Sequence, residues 1–200
     1  MTASLRSRLK IGISEPRASA SGMRNGTLML LAVAGALIAQ TGSEAPRAAP
    51  YFPTPETIVL RMLRLGQLKS GEKMFDLGSG DGRIVIMAAE KFKADATGIE
   101  IDDALWKRSS DRIRELGLEK KARIIHGDIF QQDYSAADLL TVYLLPQSND
   151  KLQPLLERQL KKGTRIVAHD FGFSGWTPVK VVDIDDDGQG RSHRLFLYER

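Results

Sequence analysis

Residues 76–82 read Asp-Leu-Gly-Ser-Gly-Asp-Gly, three glycines in five positions with Asp76 ahead of them and Asp81 among them. Gly78 and Gly80 allow a sharp turn and a close backbone approach to a bound small molecule. Ser79 stands between them, and a helix opening at Gly82 offers free N–H groups to an anion. A dinucleotide fingerprint requires G-x-G-x-x-G, whereas the spacing here is G-x-G-x-G. The two carboxylates also matter: beside a pyrophosphate they repel, and beside an ammonium or sulfonium they attract. Spacing and charge therefore disfavour a nicotinamide-dependent oxidoreductase.

Two further acids follow at regular intervals. Glu100, with Ile101 after it, closes the segment ADATGIE. An acid at that place can accept two hydrogen bonds from a ribose diol, or it can serve as a capping acid ahead of Asp102. Asp128, in HGDIF, can accept from an adenine amino group while Ile129 or Phe130 packs on the ring. An ordinary turn at a strand end is the alternative for Asp128. Three acids ending three successive strands, with the glycine loop on the first, point to one shared site.

The elements that must deliver these residues alternate along the chain. In YFPTPETIVLRMLRLG, Thr54 is expected to cap a helix that has Pro55 at its first position and Gly66 at its end. Lys73–Leu77 and Ala94–Glu100 are predicted strands. Between them Gly82–Phe92 is read as a helix, because the βαβ context overrides the strand preference of Ile84, Val85 and Ile86. A helix over Ala104–Leu116 follows, capped by Asp102 or Asp103, then strands over Ala122–Asp128 and Asp138–Leu145. Lys151–Lys161 is predicted helical, with Pro154 disturbing its first turn. Thr164–Asp170 is the next strand, and PVKVVDI with HRLFLYE around DDDGQG marks a terminal hairpin. The pattern is α/β, a mostly parallel sheet with an antiparallel edge. Ligands in such sheets sit at the carboxyl ends of the strands.

Charge and composition narrow the function classes. The chain has no cysteine, which excludes disulfides and a thiolate nucleophile. Its three histidines, His126, His169 and His193, are scattered, so no metal site is expected. Residues 1–50 hold six basic residues against two acidic ones, while residues 51–200 hold 23 of each. The net charge of +4 thus belongs to the leader, and the globular part shows no basic footprint for nucleic acid. Four parts are expected: a basic leader (1–24), a hydrophobic signal or membrane-anchor segment (25–43), a Pro/Ala linker (44–50) and a domain (51–200). Residues 25–43 carry no charge, and their apolar core, Thr27–Ala39, resembles a signal-peptide core as much as a short anchor. A start at Met23 would leave a compact signal-like leader.

The segments FDLGSGDGR, GIEID, HGDIF and DLLTVYLLP, in this order, resemble the successive motifs of class I S-adenosylmethionine-dependent methyltransferases. The resemblance implies a Rossmann-like class I methyltransferase sheet in which the C-terminal hairpin strand is inserted antiparallel. It implies that Asp76, Gly78, Ser79, Gly80 and Asp81 line the methionine end of S-adenosyl-L-methionine. Glu100 would then hold the ribose and Asp128 meet the adenine, with Ile101 and Ile129 also among the cofactor-binding residues. YFPTP, DLGSGDGRIVI, VYLLP and GTRIVAHDF further resemble the small protein-lysine methyltransferases of mitochondria and their bacterial relatives. Those enzymes carry an N-terminal hydrophobic segment and act on the ATP synthase c-subunit and the adenine nucleotide translocase. The resemblance implies a lysine acceptor on a protein substrate, membrane association through the N-terminal segment, and no nucleic-acid partner. A cleaved signal with export is the alternative for the segment. Basic residues before it favour a domain outside the membrane, whereas an intracellular cofactor requires the domain inside.

Methyl transfer to lysine needs alignment and an uncharged amine, which an apolar channel favours. Val142–Pro146 are expected to line that channel. Tyr143 is the candidate catalytic residue, bonding the amine or closing over the methyl group; a plain core aromatic is the other reading. Tyr51, Pro53 and Thr54 are candidates for a lid over the cofactor, Thr54 being a candidate cofactor-binding residue, and His169 and Asp170 are candidates for deprotonation or orientation. Trp176 is expected to pack beneath the hairpin. A small-molecule methyltransferase and a non-catalytic cofactor-binding scaffold are the alternatives.

Overall fold

The computed structural model describes residues 51–200, so the leader, the hydrophobic segment and the linker lie outside the described residues. Among the described residues, no helix is long and apolar enough to cross a membrane.

Helix α1 (Glu56–Leu65) buries Ile58, Val59, Met62 and Leu63, the stripe that the i, i+4 spacing defines. Pro55, not Thr54, occupies its cap position, and no side chain caps it. Strand β1 (Lys73–Leu77) leads through the glycine loop into α2 (Arg83–Phe92) and β2 (Asp95–Glu100). Ile84, Val85 and Ile86 are helical and buried, because α2 packs between α1 and β1–β3. Helix α3 (Asp103–Glu115) is capped by Asp102, whose carboxylate accepts from the Leu105 N–H at 2.9 Å. Then come β3 (Ala122–His126), β4 (Leu139–Val142), α4 (Pro146–Gln159), β5 (Arg165–His169), β6 (Lys180–Ile184) and β7 (His193–Glu199).

The seven strands are ordered β3-β2-β1-β4-β5-β7-β6. Strands β1 to β5 pair in parallel, and β7 is antiparallel to both β5 and β6. The antiparallel strand is therefore inserted one place in from the edge, and β6 forms the edge itself. Two cores sandwich the sheet. Helices α1–α3 cover Met74, Ala96, Leu139, Val167 and Leu195; α4 covers Leu77, Leu140, Ile166 and Tyr198. Neighbours such as Leu139 and Leu140 divide between the cores, as the two-residue period of a strand requires. With both faces covered, β4 is buried at every position.

Strands β3 and β4 stop two or more residues earlier than expected, and both differences shape the site. Strand β3 ends at His126, and Asp128 instead caps a 3-10 turn over Ile129–Gln131 by accepting from the Phe130 N–H. Strand β4 ends at Val142, and α4 begins at Pro146 rather than Lys151. Proline suits the first helical position, where its missing N–H has no intrahelical partner to lose. Pro154 stays inside α4 without ending it.

Candidate active site

Beyond β1 the chain passes through Gly78, Gly80 and Gly82 at φ of +80°, +55° and +75°. Only glycine adopts that region without strain. A Cβ on Gly80 would stand 2.8 Å from the ring of Tyr51, so the glycine also lets residues 51–54 lie over the loop. Glu100 braces the loop from β2. One of its oxygens accepts from the Gly80 N–H at 2.7 Å and the other from the Asp102 N–H at 2.8 Å. Gly98, two residues earlier, is required by packing: a Cβ there would stand 2.5 Å from the Ser79 side chain and 2.7 Å from Ile124. The Ser79 hydroxyl is buried there without a partner among the described residues.

The carboxylates differ in their state. Asp76 is fully buried and accepts from the Thr141 hydroxyl at 2.7 Å, across the β1–β4 register. Desolvation pushes its pKa up to about 7; the Thr141 bond opposes, and the charges of Glu100 and Asp81 add to the rise. Asp81 behaves otherwise. Burial raises its carboxyl, but Arg83 grips it through Nε at 2.9 Å and Nη2 at 2.6 Å and holds it below the ordinary range. The expectation that both Asp76 and Asp81 present charge to a cation is therefore corrected: Asp81 is already paired, and Arg83 uses its remaining nitrogen on the Thr54 carbonyl at 2.9 Å. Asp128 accepts from the Phe130 N–H at 2.9 Å and from the Gln131 amide at 3.3 Å.

At the far end, Tyr143 leaves β4 and turns its ring toward His169, with centroids 4.0 Å apart, and toward Phe171 at 6.4 Å. Burial pushes its hydroxyl up to about 12, and a hydrogen bond to Asp170 adds to that shift. Val142 points into the α4-side core rather than the site, so only Tyr143 and Leu144 of the expected channel segment line the cleft. Thr54, relieved of capping α1, lies 3.3 Å from His169 Nδ1. His169 is completely buried, which keeps its imidazole neutral well below the usual range. Phe171 is placed by α4, whose Asn149 amide donates to the Phe171 carbonyl at 2.9 Å. Trp176 packs on Phe173 and on Tyr198 of β7, and its indole N–H donates to Glu157 of α4.

These pieces surround one cleft at the carboxyl ends of the strands, the usual place for a ligand in such a sheet. Thr54, Asp76, Gly78, Ser79, Gly80, Asp81, Glu100, Ile101, Asp128, Ile129 and Tyr143 all line it. Tyr51, Phe52, Phe130 and Leu144 are also part of the wall.

The family model described as the ANTKMT methyltransferase domain matches residues 76–180, from Asp76 on β1 to the first residue of β6. The chain belongs to this methyltransferase family. A protein-lysine N-methyltransferase of Saccharolobus islandicus is 40% identical over 150 residues, covering 74% of this chain and 92% of that protein. The ATP synthase c-subunit lysine N-methyltransferase of Xenopus laevis is 32% identical over 161 residues, covering 80% of this chain and 69% of that one. Among solved structures, an RNA methyltransferase from Salinibacter ruber in complex with S-adenosyl-L-homocysteine superposes with a TM-score of 0.69. It shares 40% sequence identity and covers 74% of this chain and 93% of that one.

This methyltransferase is S-adenosylmethionine-dependent, with the seven-stranded class I sheet. Its cleft suits that cofactor on its own geometry. Among the described residues the buried acid Asp76 has the Thr141 hydroxyl as its hydrogen-bond partner, and a sulfonium or ammonium beside it would compensate its charge. The three left-handed glycines keep side chains out of the space above the loop. Several residues escaped the reading of the methyltransferase sequence. Arg83 and Gly98 lie inside predicted elements and bear no local signal. His193 comes beside His169 through the β5–β7 pairing, and Asp187 reaches His193 from the β6–β7 loop. Thr141 alternates with its core neighbours, a pattern visible in TVYLLP but not interpretable without the register.

Proposed function

We propose that this enzyme is a protein-lysine N-methyltransferase that acts on a membrane-associated protein. Asp76, Gly78 and Gly80 take the methionine end of the cofactor, Glu100 the ribose, and Asp128 with Ile129 and Phe130 the adenine, while Tyr51–Thr54 lie over it. S-Adenosylmethionine supplies an electrophilic methyl group carried on a sulfonium. An uncharged lysine nitrogen would take that methyl in line, the carbon–sulfur electron pair staying with sulfur and the amine proton leaving to solvent. The protein's task is alignment and desolvation. The Tyr143 hydroxyl, held by Asp170, stands where an incoming amine must pass, and the rings of Tyr143 and Phe171 strip its water.

The observation that carries this reading is the apolar, open mouth beside Tyr143. Phe52 on the cleft wall and Phe171 beside Tyr143 stay exposed, an arrangement that receives a protruding side chain rather than enclosing a small molecule. The naming of the Saccharolobus and Xenopus relatives as lysine methyltransferases supports the same acceptor. The uncharged run at residues 25–43, which would bring the enzyme to a membrane, supports the choice of a membrane-associated substrate. RNA is the second reading, since the Salinibacter protein is named an RNA methyltransferase. Against it, residues 51–200 carry equal numbers of basic and acidic residues, which provides little attraction for a phosphate backbone.

The test supplies methyl-labelled cofactor and the enzyme to separated membrane, soluble and RNA fractions. Label in a membrane protein, recovered as methyl-lysine after hydrolysis and lost with Asp76→Ala, is the expected result. Label in RNA or in a small molecule would contradict the assignment, and label confined to soluble proteins would contradict its membrane part.

A further inference from the structure

The expectation of scattered histidines does not survive the sheet. Pairing of β5 with β7 sets His169 at the end of one strand beside His193 at the start of the other. We propose that His169, Asp170 and His193 form a binding site for a divalent transition-metal ion, with zinc as the best fit. The atoms concerned converge on one point: His169 Nε2 lies 2.9 Å from His193 Nδ1, and Asp170 Oδ2 lies 3.4 and 3.6 Å from them. A triangle of that size admits one ion at about 2.1 Å from every corner, the usual zinc–nitrogen and zinc–oxygen length. Two imidazoles and one carboxylate on one side of an ion leave open positions opposite, the pattern of a catalytic zinc or non-haem iron centre.

The surroundings have the form that metal-bound histidines require. Each ligating imidazole needs a partner on its other nitrogen to fix the tautomer. His193 Nε2 has Asp187 Oδ2 at 3.2 Å, and His169 Nδ1 has the Thr54 hydroxyl at 3.3 Å. Asp187 is itself held by the Gln189 N–H at 2.7 Å and by Arg191 at 3.4 Å. His169 and His193 are buried, while the Asp170 side chain keeps a quarter of its surface exposed and provides the way in. Asp170 also holds φ at +57°, a costly conformation for a non-glycine residue, and one that suits a residue whose carboxylate must turn to a fixed point. The bound ion would tie the end of β5 to the start of β7. It would also steady Thr54 above the cleft and fix the carboxylate that accepts from Tyr143. None of this depends on which acceptor the enzyme methylates.

The same atoms permit a metal-free arrangement in which His169 Nε2–H donates to His193 Nδ1, and the experiment separates the two. The full-length protein, treated with a chelator and dialysed, is titrated with zinc by calorimetry and with cobalt by visible absorption. One equivalent of zinc, a cobalt spectrum of four- or five-coordinate type, and a higher Tm with zinc are expected. Asp170→Asn and His193→Ala should each weaken zinc at least about tenfold. His126→Ala, which alters the histidine stacked on Trp106 far along the sheet, should leave binding unchanged. If His193→Ala fails to fold, Asp170→Asn decides alone. No saturable zinc binding, or binding that Asp170→Asn leaves intact, would overturn the site in favour of the hydrogen-bonded pair.

Discussion

Burial, with Glu100 and Asp81 nearby, lifts Asp76 from its usual 3.8 to about 7 despite the Thr141 bond. A folded-state pKa above the unfolded one means stability that is complete below pH 3.8 and is lost as pH rises through 7. Between pH 5 and 8 the cofactor-free enzyme should therefore lose roughly 3 kcal/mol through this group. Denaturant unfolding of wild type and Asp76→Asn at both pH values isolates it, because the variant should lack that slope. A cation beside Asp76 favours its ionised form, so cofactor binding below pH 7 should release a proton. Calorimetry in buffers of different ionisation enthalpy reads that release directly. Tyr143 makes a different prediction, since its hydroxyl faces the acceptor. Tyr143→Phe should lower kcat by up to about a hundredfold through misalignment while cofactor affinity stays unchanged, as steady-state kinetics and equilibrium binding will distinguish.

The elements owe their places to a few contacts that local sequence does not announce. Gly98 lies in the middle of β2, where glycine is a poor choice for a strand, and it is there because the Ser79 side chain occupies the space. Gly98→Ala should cost about 1–3 kcal/mol by overpacking, seen in the denaturant midpoint, and should weaken the cofactor by displacing the loop. Much of the element order was legible from Asp/Gly punctuation and buried runs: five parallel strands, the terminal hairpin, and α2 in spite of its β-branched start. The ends of β3 and β4 were not. HGDIF follows the apolar run of ARII without a break in the strand reading, and the bonds that the Phe130 and Gln131 N–H groups donate to Asp128 show that the chain has turned. Likewise Pro146 begins α4 because it needs no N–H partner, a signal that the later leucine spacing outweighed.

At the scale of the molecule, the site arises where strand ends, glycine loop and residues 51–54 meet, so its acids could be read from spacing while its pairings could not. Asp81 reads as a free charge in sequence, yet Arg83 neutralises it two residues on. His169 and His193 read as unrelated and are neighbours across the sheet. Residues 51–200 lie within one compact unit. A chain beginning at residue 48 should therefore bind S-adenosylmethionine as tightly as the whole protein, and only the full chain should sediment with lipid vesicles. Centrifugation of both with vesicles tests the second statement. The central claim is that the cofactor lies in the cleft with its ribose on Glu100. Equilibrium binding of S-adenosylmethionine to Glu100→Ala, in protein whose near-ultraviolet circular dichroism matches wild type, tests it most directly. A loss of affinity of about tenfold or more is expected when these charge-assisted bonds go; an affinity equal to wild type would contradict the account.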